Sequence, residues 1–209
     1  MSGRGDDGRT PPPAGEREGS RGVGPVRPGY LIVRNDPAGA YVGALMLTDA
    51  AGLPVDFRFT DPITPTRLQR ALYGGVLDRH LRVDVVARAL VGALSERPSV
   101  LLVDDRHLLT PGVAGCPVLM ISPSSAAPLG AAGSVQGAGD SVLVQACDGV
   151  APVRLTLPDD SGDDARAAGA ALVAALGQTM DPLEPVERVR EALDLIAAGE
   201  VEDAEPEAA

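Results

Sequence analysis

The chain has 209 residues, 44% hydrophobic but only 2% aromatic and with no Trp, so one domain with a substantial core of Leu, Val, Ala and Ile is expected, with few stacking platforms for bases or sugars. All 18 residues counted as Lys or Arg are Arg, which excludes a Schiff-base lysine or a P-loop lysine. The formal net charge of −11 divides into +1 for residues 1–28, −1 for 29–157 and −11 for 158–209, a balance that argues against non-specific binding to duplex nucleic acid.

In chain order, residues 1–28 are rich in Gly, Pro, Arg and Glu and are expected to form a disordered tail, in which Arg4-Gly5-Asp6 is a chance tripeptide. Tyr30–Arg34, Tyr41–Thr48 and Leu53–Thr60 read as strands, the last two joined by Asp49-Ala-Ala-Gly52. In the third, Val55, Phe57 and Phe59 alternate with Asp56, Arg58 and Thr60, which predicts a half-buried strand. Thr64 as N-cap and Pro65 at the first helical position predict a helix with Leu68 and Leu72 in the core, stopped by Gly74-Gly75. A second helix is expected from about Leu77 to Arg97, burying Leu81, Val85, Val86, Ala89, Leu90, Ala93 and Leu94.

The apolar run Ser99–Val103 predicts a central strand buried on both sides. A short strand over Pro117–Ile121 and a Gly/Ala/Ser-rich surface loop over 122–140 follow. Ser141–Cys147 and Pro152–Leu157 read as a hairpin around Asp148-Gly149, and helices are expected over about 163–180 and 182–198. This order predicts a single α+β domain over 29–199, with an antiparallel hairpin region, a mixed central sheet, two C-terminal helices and an acidic disordered tail over 200–209. Cys116 and Cys147 have no metal-binding or redox spacing, so free thiols are expected, a disulfide being the alternative. With no apolar leader and no run long enough to span a membrane, the expectation is a cytoplasmic protein.

Chemistry is sparse. Asp104-Asp105-Arg106-His107 leaves the central strand where open sheets place ligands, and Asp104, Asp105 and His107 suit a divalent cation, Mg2+ or Mn2+. Adjacent residues of an extended chain point apart, however, and Asp is a common turn former, so strand termination and turn capping are the simpler reading. Only His80 and His107 are available as a general base, and no Gly-x-Ser-x-Gly elbow is present. Arg67, Arg70, Arg79, Arg82 and Arg88 make the helical region basic, suited to an acidic partner. Asp56, Arg58, Arg67, Gln69, Arg70 and Tyr73 remain as polar groups that no folding rule requires, and they form the candidate partner-binding face.

Two resemblances bear on function. Three antiparallel strands, a helical connection and a buried strand ending in Asp resemble the opening of the ribonuclease H-like nuclease fold. That resemblance implies metal-binding carboxylates on the first strand, on the helix and after the fourth strand. Asp36 would serve at the first position and Asp104 or Asp105 at the last, but Thr64–Gly75 carries no acid. Gly29-Tyr-Leu-Ile, Asp56–Ile63, Gln69, Leu72-Tyr73-Gly74, Leu183-Glu-Pro and Val189-Arg-Glu-Ala together resemble a family of uncharacterised bacterial proteins, which implies a stand-alone domain without known activity. The combined expectation is a non-catalytic binding or assembly module of a bacterial multi-protein system, with a protein partner, no cofactor and no duplex nucleic acid. The alternative is a metal-dependent ribonuclease H-like nuclease or other carboxylate-metal enzyme.

Overall fold

The computed structural model describes residues 26–200, so the expected tails lie outside the described residues except for 26–28 and 200. β1 (Pro28–Asn35), β2 (Tyr41–Thr48) and β3 (Pro54–Phe59) form an antiparallel meander. The chain turns from β2 to β3 where Asp49 Oδ1 accepts hydrogen bonds from the amides of Ala51 and Leu53, with Gly52 at positive φ.

β4 (Val100–Val103) lies parallel to β1, and β5 (Val118–Ser122) parallel to β4. β6 (Val135–Ala138), β7 (Ser141–Val144) and β8 (Val153–Thr156) complete an eight-stranded sheet in the order β3-β2-β1-β4-β5-β8-β7-β6. The architecture is the expected single α+β domain with a mixed central sheet.

Alternation along β1 divides the core. Tyr30 and Ile32 enter one apolar cluster, and Leu31 and Val33 the other. The first cluster is covered by α4 (Asp163–Leu176) and α5 (Glu184–Ala198) through Val173, Leu176, Val189 and Leu193. The second is covered by a continuous helical run of α2 (Leu77–Arg79), a π-helical segment His80–Ala87 and α3 (Arg88–Ala93). The sheet is thus sandwiched between two helical layers, and all four residues of β4 are buried, as an apolar run bounded by Pro98 and Asp104 predicts.

Several expectations are corrected. α1 (Arg67–Tyr73) starts at Thr66 and not at Thr64, because Thr66 and Gln69 form a capping box: Thr66 Oγ1 accepts from the Gln69 amide at 3.1 Å, and Gln69 Oε1 accepts from the Thr66 amide at 2.8 Å. Leu68 and Leu72 are 67% and 72% exposed, since α1 buries none of its residues. Val55 and Phe59 are likewise exposed because β3 is the sheet edge. In the helical run Ala89 and Ala93 face solvent while Val83 and Ala87 are buried, because the π-helical turns rotate the buried face away from regular 3.6-residue spacing. The 122–140 loop contains β6, which pairs with β7.

Gly43 on β2 sets the closeness of helix and sheet: a Cβ there would lie 2.4 Å from Val86 Cγ1 and 3.1 Å from Leu90 Cδ1. Gly43→Ala is expected to lower the unfolding free energy in urea by about 1–3 kcal/mol. Gly75→Ala, where a Cβ meets nothing within 4 Å, is expected to change it by less than about 0.5 kcal/mol.

Candidate functional site

β1 and β4 run parallel at the centre of the sheet, so their carboxyl ends open side by side. Ile32, Val33, Arg34 and Asn35 from β1, Asp104, Asp105 and Arg106 after β4, Arg82 from the π-helical segment and Arg190 from α5 line an open cleft of about 430 Å3 there. Such strand ends are where ligands of open sheets bind.

The two aspartates diverge. Asp104 Oδ2 accepts from Nη2 and Nε of Arg190 at 2.8 and 3.2 Å, towards the α5 layer. Asp105 turns to the other layer, where its Oδ2 lies 3.4 Å from Arg82 Nη1. Asp105 Oδ1 accepts from the His107 amide at 2.9 Å and lies 2.8 Å from His107 Nδ1, capping the short 3-10 turn Arg106–Leu108. Turn capping, the simpler reading of this motif, is what Asp105 does.

Arg82 is held on every side. Its Nε donates to Asp78 at 3.0 Å, Nη1 to the Val33 carbonyl at 2.7 Å and Nη2 to Asn35 Oδ1 at 2.7 Å, and the guanidinium carbon lies 5.6 Å from the Tyr41 ring centroid. Burial, with a hydrogen bond to Asp78, pushes the Tyr41 hydroxyl above its ordinary pKa. Burial opposes the Arg190 charge, but the hydrogen bonds and charge of Asp104, followed by those of Glu187, more than offset it and leave the pKa raised. Arg34 pairs with Asp194, and Arg106 with Asp140 and Asp159.

The remaining candidates are dispersed. Asp36 does not line this cleft: its Oδ1 accepts from the Ala40 amide at 2.8 Å, closing the β1–β2 turn, and it borders a separate groove with Phe59 and Leu193. Asp56 is structural, since its Oδ2 accepts from the amide and hydroxyl of Ser95, both at 2.8 Å, and its Oδ1 pairs with Arg58. Gln69 belongs to the capping box, whereas Arg67, Arg70 and Tyr73 are exposed. Cys116 and Cys147 are free, with burial raising both thiol pKa values. No helix among the described residues is long and apolar enough to cross a membrane.

Arg190 was missed by sequence reasoning because on α5 it reads as the local partner of Glu187; Arg82 read in the same way as part of a solvated basic face.

No family model matches the chain, and no curated protein sequence matches it. Solved structures do. Human endonuclease V (ENDOV) matches with a TM-score of 0.59 at 16% identity, covering 86% of this chain and 87% of that one. Endonuclease V from Streptomyces avermitilis matches with a TM-score of 0.57 at 21% identity, over 85% of this chain and 83% of that one. Ciona intestinalis endonuclease V (D234N), in complex with a 23mer DNA containing an inosine followed by a ribo-adenosine, matches with a TM-score of 0.51 at 10% identity, over 85% and 88%. At these identities the likeness is one of fold.

This finding corrects several expectations. The structural neighbours are nucleases rather than uncharacterised proteins without known activity. The non-catalytic assembly module, the balance against an enzyme and the protein partner without nucleic acid are overturned by a fold whose neighbours are endonucleases, one of them bound to DNA. The nuclease alternative is the reading the neighbours favour.

The two-metal centre implied by the nuclease resemblance does not fit these residues. Among the described residues no group of three His, Cys, Asp or Glu is placed to hold a metal ion. Asp104 and Asp105 face opposite layers, each beside a guanidinium, and Asp36 is bound in its turn.

Two outcomes follow. Millimolar Mg2+ is expected to leave the thermal midpoint of the free protein unchanged, whereas a site occupied at 100 times its Kd would add about 2.7 kcal/mol. Hydrogen bonds from Ser95, the largest cause, hold the Asp56 carboxyl below its ordinary value of 3.8, so its stabilisation is present above that pH and is lost as pH falls through the lower folded value. Asp56→Ala is therefore expected to cost about 1–2 kcal/mol at pH 7, with the difference shrinking below pH 3.8 in acid-titrated urea unfolding.

Proposed function

We propose that this chain acts on nucleic acid, with a phosphodiester strand seated in the cleft at the ends of β1 and β4. One observation carries the reading: Arg34, Arg82, Arg106 and Arg190 surround Asp104 and Asp105 at the carboxyl ends of a parallel strand pair, in a fold shared with endonuclease V structures. Planar guanidinium forks suit phosphate oxygens. The overall charge of −11 does not oppose this, because residues 29–157 are nearly neutral and carry three of the four arginines.

Each arginine differs in how readily it exchanges a carboxylate for a phosphate. Arg106 is 57% exposed, and its pairs with Asp140 and Asp159 are solvent-screened, so it can turn readily to an incoming strand. Arg82 is fixed by Asp78, Asp105, Asn35, the Val33 carbonyl and the Tyr41 ring, and keeps its place as a strand approaches. Asp104 is the carboxylate best placed for chemistry on a seated strand, once Arg190 turns to phosphate. The two free cysteines suit the reducing cytoplasm as the compartment.

The test is fluorescence anisotropy with labelled 23mer DNA carrying one inosine, single-stranded and duplex, beside the same sequence without inosine. Binding that weakens linearly in log salt, and weakens about tenfold or more in Arg106→Glu, is the expected result. Absence of binding to every strand at low salt would overturn the proposal. Strand scission is scored in parallel with Mg2+, Mn2+ or EDTA, and scission that disappears in Asp104→Asn while binding persists assigns the chemistry to this cleft.

A further inference from the structure

We infer that the exposed face of α1 and the following turn is a platform for unpaired nucleotides, a second contact surface outside the β1–β4 cleft; this rests on the proposed action on nucleic acid. Tyr73 and His80 stack with ring centroids 4.7 Å apart and planes 19° from parallel. His80 is held in turn by Asp84, whose Oδ2 lies 3.2 Å from His80 Nδ1, so the pair is a pre-formed aromatic surface. Tyr73 is exposed, and a Cβ built at either neighbouring glycine, Gly74 or Gly75, meets nothing within 4 Å, which leaves open ground beside the ring.

Three arginines close to this pair in sequence have no described carboxylate partner. Arg67, Arg70 and Arg79 are exposed and make no ion pair with any described carboxylate, unlike the arginines of the cleft. Residues 61–84, which include the Asp84 that holds His80, carry four Arg and three Asp, a net +1 in a chain of −11. Cations without partners beside a stacked, open aromatic pair are the elements of single-strand recognition, in which arginines follow the backbone and a ring receives a base. A duplex would not serve, because its bases are already stacked on one another. Leu68 and Leu72 add exposed apolar surface on α1.

The full chain is tested: α1 buries none of its residues and Arg79 is exposed, so these changes are expected to leave folding intact, which a matching thermal midpoint would verify. Single-stranded DNA and its duplex are titrated by anisotropy across salt concentrations. Tyr73→Ala is expected to weaken single-strand binding by about 5- to 100-fold and duplex binding much less. The triple variant Arg67→Gln, Arg70→Gln, Arg79→Gln is expected to lower the single-strand salt slope by about 2, at roughly 0.7 for each lost phosphate contact. Wild-type binding that the triple variant and Tyr73→Ala leave unchanged would overturn this inference and leave the cleft proposal standing; no wild-type binding at all would sink both. A concentration-dependent dimer in sedimentation, dissolved by Leu68→Asp with Leu72→Asp, would assign the face to a second copy and overturn it as well.

Discussion

Successive side chains of an extended strand point to opposite faces, and this chain leaves its most buried strand on two consecutive aspartates. Everything at the centre of the molecule follows from that alternation. Asp104 is drawn to Arg190 of α5, and Asp105 towards Arg82 of the π-helical segment, so each helical layer is fastened to the end of β4 by a different carboxylate. Arg82 extends the fastening to β1 through the Val33 carbonyl and Asn35. The cleft is therefore a meeting point of three layers, and the same divergence gives the two carboxylates different guanidinium partners.

The other end of the helical run behaves differently. Where Leu81, Val86 and Leu90 seat the run on β1 and β2, the preceding α1 contributes nothing to the core. Its helix is specified locally, by the Thr66–Gln69 capping box and by Gly74 at its end, rather than by tertiary burial. A helix held by caps keeps its apolar and cationic side chains free, and Leu68, Leu72, Arg67 and Arg70 are left on the surface for that reason. A well-specified helix is not always a buried one.

How much of this was legible in the sequence depends on the range of the forces involved. β2 is residue for residue the expected Tyr41–Thr48, and β4 lies within the apolar run that predicted it, because a buried strand is written in consecutive residues. Gly74 marked a helix end for the same local reason. Leu68 and Leu72 misled because helical spacing shows that residues share a face and is silent on whether anything covers it. β6 was unreadable, since Val135-Gln-Gly-Ala138 has no alternation and is a strand only through pairing with β7. At the candidate site, Asp104 and Asp105 could be located from the end of the run, but Arg190 lies 86 residues away from its partner. The functional expectation erred in a related way: it weighed a missing acid on one helix above an element order that resembled a nuclease, and strand order proved the more durable signal.

The arginines at the strand ends also have a physical meaning that fold likeness alone does not supply. A guanidinium and a divalent cation both neutralise carboxylates gathered at a sheet edge, but the guanidinium is tethered and joins one layer of the protein to another. Neutralising Asp104 and Asp105 is not needed for stability as such, since apolar residues of similar volume in place of charge pairs are often equally or more stabilising. A cleft of about 430 Å3 lined by four arginines and two aspartates therefore holds charge that packing does not require. Asp104 is mostly shielded while its partner Arg190 is 40% exposed, so the cation stands on the solvent side of the acid. That order of exposure gives an acidic chain a local face on which a cation is outermost.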